Sequence, residues 1–501
     1  MIAWSSEPTV RAQLPKNLWV DIDDLWDHAT GGGRLTGIQR VVIEVCHALL
    51  GLSVSQWSLR FVRHNAAHDS FAEVPRAVAV EIFDQLRSAT RVSGAIVLDD
   101  SPRARPVEPH RRRLMRRAGR RLPADIRLPL ARALRLQAKA AGELEKFTVA
   151  LGRRAIAAFR GRPQHGGWSR AGNLREFARS ATADDVVLVL GAPWGYADYA
   201  ALAAVIRQRY GVRFALFVHD LLPVRRPEFF SEDTVRTAER WFAAMLRQTD
   251  LLLTFSRATA ADVEAFMREQ RIASTPPVQT IPPGAGFAHG KPNSPPGRWR
   301  FAAKRDYALC VSTLEPRKNH ALLFRVWKRL LEDMPRAKVP LLVFAGRCGW
   351  LTEDLMQQIA NTGFLGGKIQ LVEDASDDQL AELYRSCLFT VFPSFGEGWG
   401  LPVSESLAFG KPCFASDIPA VTEAGGAFAR YFDPDSASSA YTLIRSAIDD
   451  PEGLRAWAQE IARSFKPASW VATADALIAA LDRVTTDSAR VIKPEATPAT
   501  P

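Results

Sequence analysis

Short apolar runs bounded by turn residues alternate along the chain with longer segments of helical period, in two successive sets. The first set lies at 18–22, 95–98, 186–190, 214–218 and 251–255. The second lies at 307–311, 341–345, 369–372, 388–392 and 413–415. A short continuous apolar run suits a strand buried on both faces, and its alternation with helices is the pattern of a parallel sheet covered on both sides. Each set therefore predicts one doubly wound α/β domain. Between them, 282–299 is dense in Pro and Gly and lacks apolar periodicity, which predicts a linker with the boundary near Pro295. The expected organisation is a first domain over 1–294 and a second over 295–486. A last amphipathic helix at 470–484 is expected to cross back to the first domain, and 487–501 to form a disordered tail.

A length of 501 residues suits two domains, and 47% hydrophobic with 24% charged residues is ordinary for a globular chain. The net charge of +11 changes the picture only locally: residues 103–162 carry +14, leaving −3 on the rest. This Arg-dense block belongs to an insertion over 102–163 whose Leu130, Leu134, Leu144, Phe147 and Leu151 share one helical face. Two readings fit it, an anionic membrane surface as partner or a helical hairpin packed on the first domain with its arginines solvated. A nucleic-acid partner is not expected, because the block lacks interleaved aromatics and any recognisable module. The N-terminus has no basic start followed by an apolar run, which predicts a cytoplasmic protein. The weakly charged stretch 186–206 is interrupted by Gly191, Pro193, Gly195 and Asp198, so no membrane span is expected. Cys46, Cys310, Cys348, Cys387 and Cys413 show no metal-ligand spacing and read as buried structural thiols.

Candidate chemistry concentrates in VFPSFGEGWGLPVSESLAFGKP, residues 391–412, where a strand runs into a Gly-rich turn and then a helix. Pro402 suits the first helical position, which would aim the backbone N–H groups around Trp399, Gly400 and Leu401 at an anion such as a diphosphate. Gly396, Gly398 and Gly400 permit close backbone approach. Glu397 on the turn and Glu405 on the helix supply two carboxylates, good acceptors for sugar hydroxyls. Upstream, Arg317 and Lys318 follow a strand at the start of a helix. Cations are unfavourable there unless an anion joins them. In the first half, Gly31, Gly32, Gly33 and Gly37 follow a strand too late for a dinucleotide fingerprint. Trp194 and Ser256 read equally well as cleft residues or as core packing and helix capping.

The segment FGEGWGLPVSES, with seven residues between two glutamates, resembles the family-4 glycosyltransferases, and so do TLEPRKN at 313–319 and TGIQRV at 36–41. The resemblance covers essentially the whole second half. It implies the retaining GT-B architecture, two Rossmann-like domains facing a cleft, with the donor nucleotide held by the second. It also implies that Glu397 contacts the transferring sugar, that Glu405 contacts the nucleotide ribose, and that Arg317 and Lys318 neutralise the leaving diphosphate. Gly37 and Arg40 would belong to a loop closing over the donor. His219, in FVHDLLPVRRPEFF, would reach the sugar from a strand end. One departure is that Ser312 and Thr313 stand where many members carry an arginine, a loss that Arg317 is placed to compensate.

The expected partners are a nucleotide-diphosphate sugar, GDP-mannose-like by the resemblance of the TLEPRKN variant, and a saccharide or lipid-linked acceptor in surface polysaccharide synthesis. No cofactor is expected and no metal is implied, since fixed cations and a helix N-terminus take its place. Asp21, Asp23 and Asp24 come nearest to an Asp-x-Asp site. The alternatives are another GT-B chemistry, such as sugar-nucleotide epimerisation or phosphorolysis, and a non-catalytic scaffold.

Overall fold

A computed structural model describes residues 15–31, 37–52, 56–65, 70–89, 137, 174–193, 196, 198–285 and 306–491. The chain is α/β and carries two separate, mostly parallel sheets. The first has seven strands: β1 (Lys16–Asp21), β2 (Trp57–Asn65), β3 (Ser70–Val74), β4 (Val186–Val189), β5 (Arg213–Phe217), β6 (Leu251–Thr254) and β7 (Val278–Thr280). Their order across the sheet is β3-β2-β1-β4-β5-β6-β7, parallel except for the β2/β3 pair. The second sheet holds β8 (Tyr307–Val311), β9 (Leu341–Ala345), β10 (Ile369–Val372), β11 (Phe389–Phe392), β12 (Cys413–Ser416) and β13 (Arg430–Phe432). Its order is β10-β9-β8-β11-β12-β13, parallel throughout.

Burial on both faces explains the continuous apolar runs. In β8, Ala308 and Cys310 pack toward the helix His320–Asp333 through Leu322, Leu323, Val326 and Trp327, while Tyr307 and Leu309 pack with Leu383 and Tyr384. Successive side chains of a strand point to opposite faces, so a strand covered twice has no polar position to spare. In the first sheet Trp19, Val187, Phe214, Leu216 and Leu252 share a core with Phe177, Tyr199 and Phe242. The buried carboxylate of Asp185 ties β1 to the turn before β4, accepting from Asn17 N at 2.9 Å and Trp19 Nε1 at 3.0 Å.

Nine of the ten expected runs coincide with strands, and the tenth, 95–98, lies outside the described residues. Four strands had no such run. β7 and β13 are three residues long, and β2 interleaves Arg60 and Arg63 with its apolar positions. Those charges are accommodated because Arg60 lies 5.1 Å from the Trp19 ring and Arg63 4.5 Å from the Trp26 ring. The expected linker (from 286 on), the basic insertion and Trp194 lie outside the described residues, Gln137 excepted.

The last helix, Trp470–Val491, runs past the end expected from its periodicity. It lies against the first sheet's side of the molecule. Asp482 accepts from Trp57 Nε1 at 2.7 Å and Gln56 Nε2 at 2.8 Å, and Thr473 Oγ1 donates to Pro282 O at 2.7 Å. Four cysteines are buried, but Cys348 is exposed, because it sits on the loop after β9 rather than on a covered strand.

Candidate active site

The turn after β11 and the helix Leu401–Ala408 form the centre of the site. Gly400, with φ +104°, caps this helix in a conformation that disfavours any side chain, so Leu401 is the first helical residue and Pro402 the second, not the first as its type suggests. Gly398 has an equally specific requirement: a Cβ there would lie 1.8 Å from the carbonyl oxygen of His219. The carbonyl of Gly398 accepts the hydroxyls of Ser256 at 2.6 Å and Thr259 at 3.1 Å, both on the first half of the chain. Ser256 also caps the helix Arg257–Glu269 and is fully buried, so of its two expected readings the structure shows the helix cap.

His219 follows β5 and donates through Nε2 to Leu190 O at 2.8 Å. Burial holds its pKa below the ordinary imidazole value, so the ring is neutral and Nδ1 is an acceptor.

Glu397 is clamped between two cations. Its Oε1 lies 2.5 Å from Lys318 Nζ and 2.6 Å from Ser394 Oγ, and its Oε2 lies 3.2 Å from Arg317 Nη1. Arg317 also donates to Gly396 O at 2.9 Å and pairs with Glu315 at 2.8 Å. Burial pushes the Glu397 carboxyl up, but Lys318 and Arg317 outweigh it and hold it below the usual carboxylate range. Burial and the neighbouring Arg317 lower Lys318 despite the glutamate. The cations do not occupy a helical first turn as expected. They sit on a short 3₁₀ turn, Pro316–Lys318, separated by the left-handed Asn319 from the helix His320–Asp333. That turn brings both side chains onto the loop after β11.

Glu405 is engaged at both oxygens. Arg40 Nη1 approaches Oε1 at 2.9 Å from the helix Gly37–Gly51, and the Tyr384 hydroxyl donates to Oε2 at 2.8 Å. Burial raises the Glu405 pKa, and Arg40 and Tyr384 offset that only in part. A cavity of about 600 Å³ is lined by Gly37, Arg40, His219, Arg317, Lys318, Glu397, Gly398, Trp399, Gly400, Leu401 and Glu405. Its size is within the range of small-molecule sites. Every residue singled out in the sequence for catalysis or substrate binding thus borders one cavity. Glu315, Ser394 and Tyr384 went unassigned although they lie inside or beside the informative segments. Their role is to hold other side chains, which leaves no signature of residue type.

Asp21, Asp23 and Asp24 stand at the end of β1, away from these cations. Asp21 is hydrogen-bonded to the Tyr199 hydroxyl, Asp23 accepts from His64 N at 2.6 Å, and Asp24 accepts from Gln39 Nε2 at 3.0 Å. Among the described residues no group of three or more His, Cys, Asp or Glu is arranged to hold a metal ion. No described helix is long and apolar enough to cross a membrane.

Residues 296–464 match the family model for glycosyl transferases group 1. The serotype-specific mannosyltransferase WbdA of Escherichia coli is 32% identical over 247 residues, which cover 47% of this chain and 29% of that one. The O-antigen chain mannosyltransferase B of Escherichia coli is 29% identical over 239 residues, covering 46% and 60%. The chain therefore spans less than two thirds of the length of these relatives. Among solved structures, sucrose-phosphate synthase from Thermosynechococcus elongatus aligns over 95% of this chain and 98% of its own, with 16% identity and a TM-score of 0.48.

Proposed function

We propose that this protein is a retaining glycosyltransferase of the GT-B architecture. It moves a hexose from a nucleotide-diphosphate sugar, GDP-mannose-like, to a saccharide or lipid-linked acceptor in surface polysaccharide synthesis. The observation that carries the reading is the clamp of Glu397 between Lys318 and Arg317 on the wall of a cavity that also holds Glu405, His219 and the N-terminus of the helix Leu401–Ala408. The mannosyltransferase names of the two Escherichia coli relatives support the choice of sugar.

The carboxylate of Glu397 is shared between both cations, and Glu315 also faces Arg317. A diphosphate offers them a stronger anion and releases Glu397 toward the hydroxyls of the transferring sugar. As the anomeric C–O bond breaks, negative charge grows on the leaving diphosphate, where Lys318, Arg317 and the backbone N–H groups at the helix start stabilise it. The acceptor hydroxyl bonds through its oxygen to the anomeric carbon on the face the diphosphate leaves, and its proton passes to the departing phosphate oxygen. Neutral His219 supplies an acceptor for a sugar hydroxyl.

The test is incubation with GDP-mannose and a mannose oligosaccharide, with and without a chelator, followed by NMR of the product. An α-glycoside formed equally in both samples is the expected result. An epimerised nucleotide sugar without glycoside would assign the fold to epimerisation, and nucleotide binding without any turnover would assign it to a scaffold.

A further inference from the structure

Four aromatic rings run outward from the Glu397 loop across the junction of the two halves. Phe395, two residues before Glu397, stacks on Phe229 with ring centroids 5.4 Å apart and planes at 13°. The Trp350 indole N–H donates to the carbonyl of Phe229 at 3.0 Å, and its ring lies 6.3 Å from that of Phe230. Arg226 joins the row, with its guanidinium 5.0 Å from the centre of Phe229 and Nη1 donating to Phe395 O at 3.0 Å. Phe229 and Phe230 belong to the first half of the chain, and Phe395 and Trp350 to the second.

These rings are not core. Phe229, Phe230 and Phe395 are only partly buried, and Trp350 is 44% exposed while bordering the same cavity as Glu397. The backbone supports this presentation at a cost: Leu351 beside it is left-handed, with φ +53°, a conformation disfavoured for any residue with a Cβ.

We infer that Trp350 and Phe230, braced by the Phe229–Phe395 stack behind them, form an acceptor subsite that binds pyranose rings by their faces, a role that rests on the transferase reading above. An aromatic face is electron-rich and attracts the C–H-bearing face of a sugar, whose hydroxyls stay at the edge for polar partners. Arg226 supplies such a partner next to Phe229. The row starts beside Glu397, the carboxylate on the transferring-sugar side, whereas Glu405 has Arg40 and Tyr384 as neighbours. A saccharide lying along the rings would extend from the transfer point toward solvent, as an elongating or lipid-linked glycan must. Both halves contribute rings, so the subsite is complete only when the cleft is closed.

The experiment compares wild type with Trp350→Ala, Phe230→Ala and the ring-preserving Trp350→Phe. Calorimetric titration with GDP alone is followed by titration with mannotriose and a set of methyl pyranosides in the presence of GDP, and by acceptor kinetics. The expected result is a roughly tenfold weaker saccharide affinity and higher acceptor KM for the two alanine variants. Trp350→Phe should recover most of the loss, and the Kd for GDP should shift less than twofold. Unchanged saccharide affinity in the alanine variants, or no saccharide binding by wild type, overturns the subsite even while wild type makes glycoside. Weakened GDP binding with unchanged saccharide binding overturns it in favour of base stacking on Trp350. Failure of wild type to turn over any nucleotide sugar would instead strike the transferase reading itself.

Discussion

Arg40, on a helix of the first half, reaches Glu405, on a helix of the second, at 2.9 Å across the cavity. The pair is unequally covered, with 22% of the Arg40 side chain and 5% of the Glu405 side chain exposed. Removing one partner of a fully buried pair costs about 3–5 kcal/mol because the other charge is stranded. Partial exposure of Arg40 lowers the expectation for Arg40→Ala to ~2 kcal/mol, most of it recovered when Glu405→Gln is added. Thermal unfolding of the two single variants and the double variant tests this. Additive losses would mean that the two side chains do not act as a pair.

Glu397 occupies the cations that a diphosphate would need. Glu397→Gln is therefore expected to lower turnover by at least a hundredfold while leaving GDP affinity unchanged or tighter, since Lys318 loses its carboxylate partner and Arg317 keeps only Glu315. Calorimetry with GDP and turnover of GDP-mannose separate the two effects. Near-native turnover would remove Glu397 from the donor site.

Asp23 and Asp21 are held above the ordinary carboxylate range, first by burial and, for Asp23, also by repulsion from Asp21. Above pH 4 the unfolded chain loses these protons while the native protein retains them. The native state then binds more protons, and these groups make stability fall as pH rises. Asn at position 23 keeps an acceptor for His64 N and carries no proton to lose. Asp23→Asn should raise Tm by a few degrees at pH 8 and by less at pH 5. A Tm difference that is the same at both pH values would contradict the raised native pKa.

Residues 103–162 carry a net +14. Basic side chains near an anionic bilayer contribute about 1 kcal/mol each, so the full chain is expected to co-sediment with vesicles containing phosphatidylserine. Binding should weaken with salt and vanish when 103–162 is deleted. Equal binding by the deletion variant, or none by the intact protein, would remove the membrane role and leave the segment as a hairpin with solvated arginines.

The buried strands were legible because a parallel strand covered on both faces leaves a continuous apolar run, as at 341–345. β2 was not, because its arginines are tolerated only through Trp19, Trp26 and Glu73, partners supplied by other elements. The turn after β11 was legible for a similar local reason, since Gly398, Gly400 and Pro402 mark a strand-to-helix turn within one short segment, whereas Gly37, Arg40 and His219 were legible only through the family resemblance. The charge states of the two glutamates were not legible. Whether Glu397 rides low and Glu405 high depends on Lys318 and Arg317 for one, and on Arg40 and Tyr384 for the other. Those partners come from other elements, and Arg40 comes from the other half of the chain. Coulomb interactions and desolvation act through space, so only the tertiary structure decides which carboxylate is clamped and which bridges the cleft.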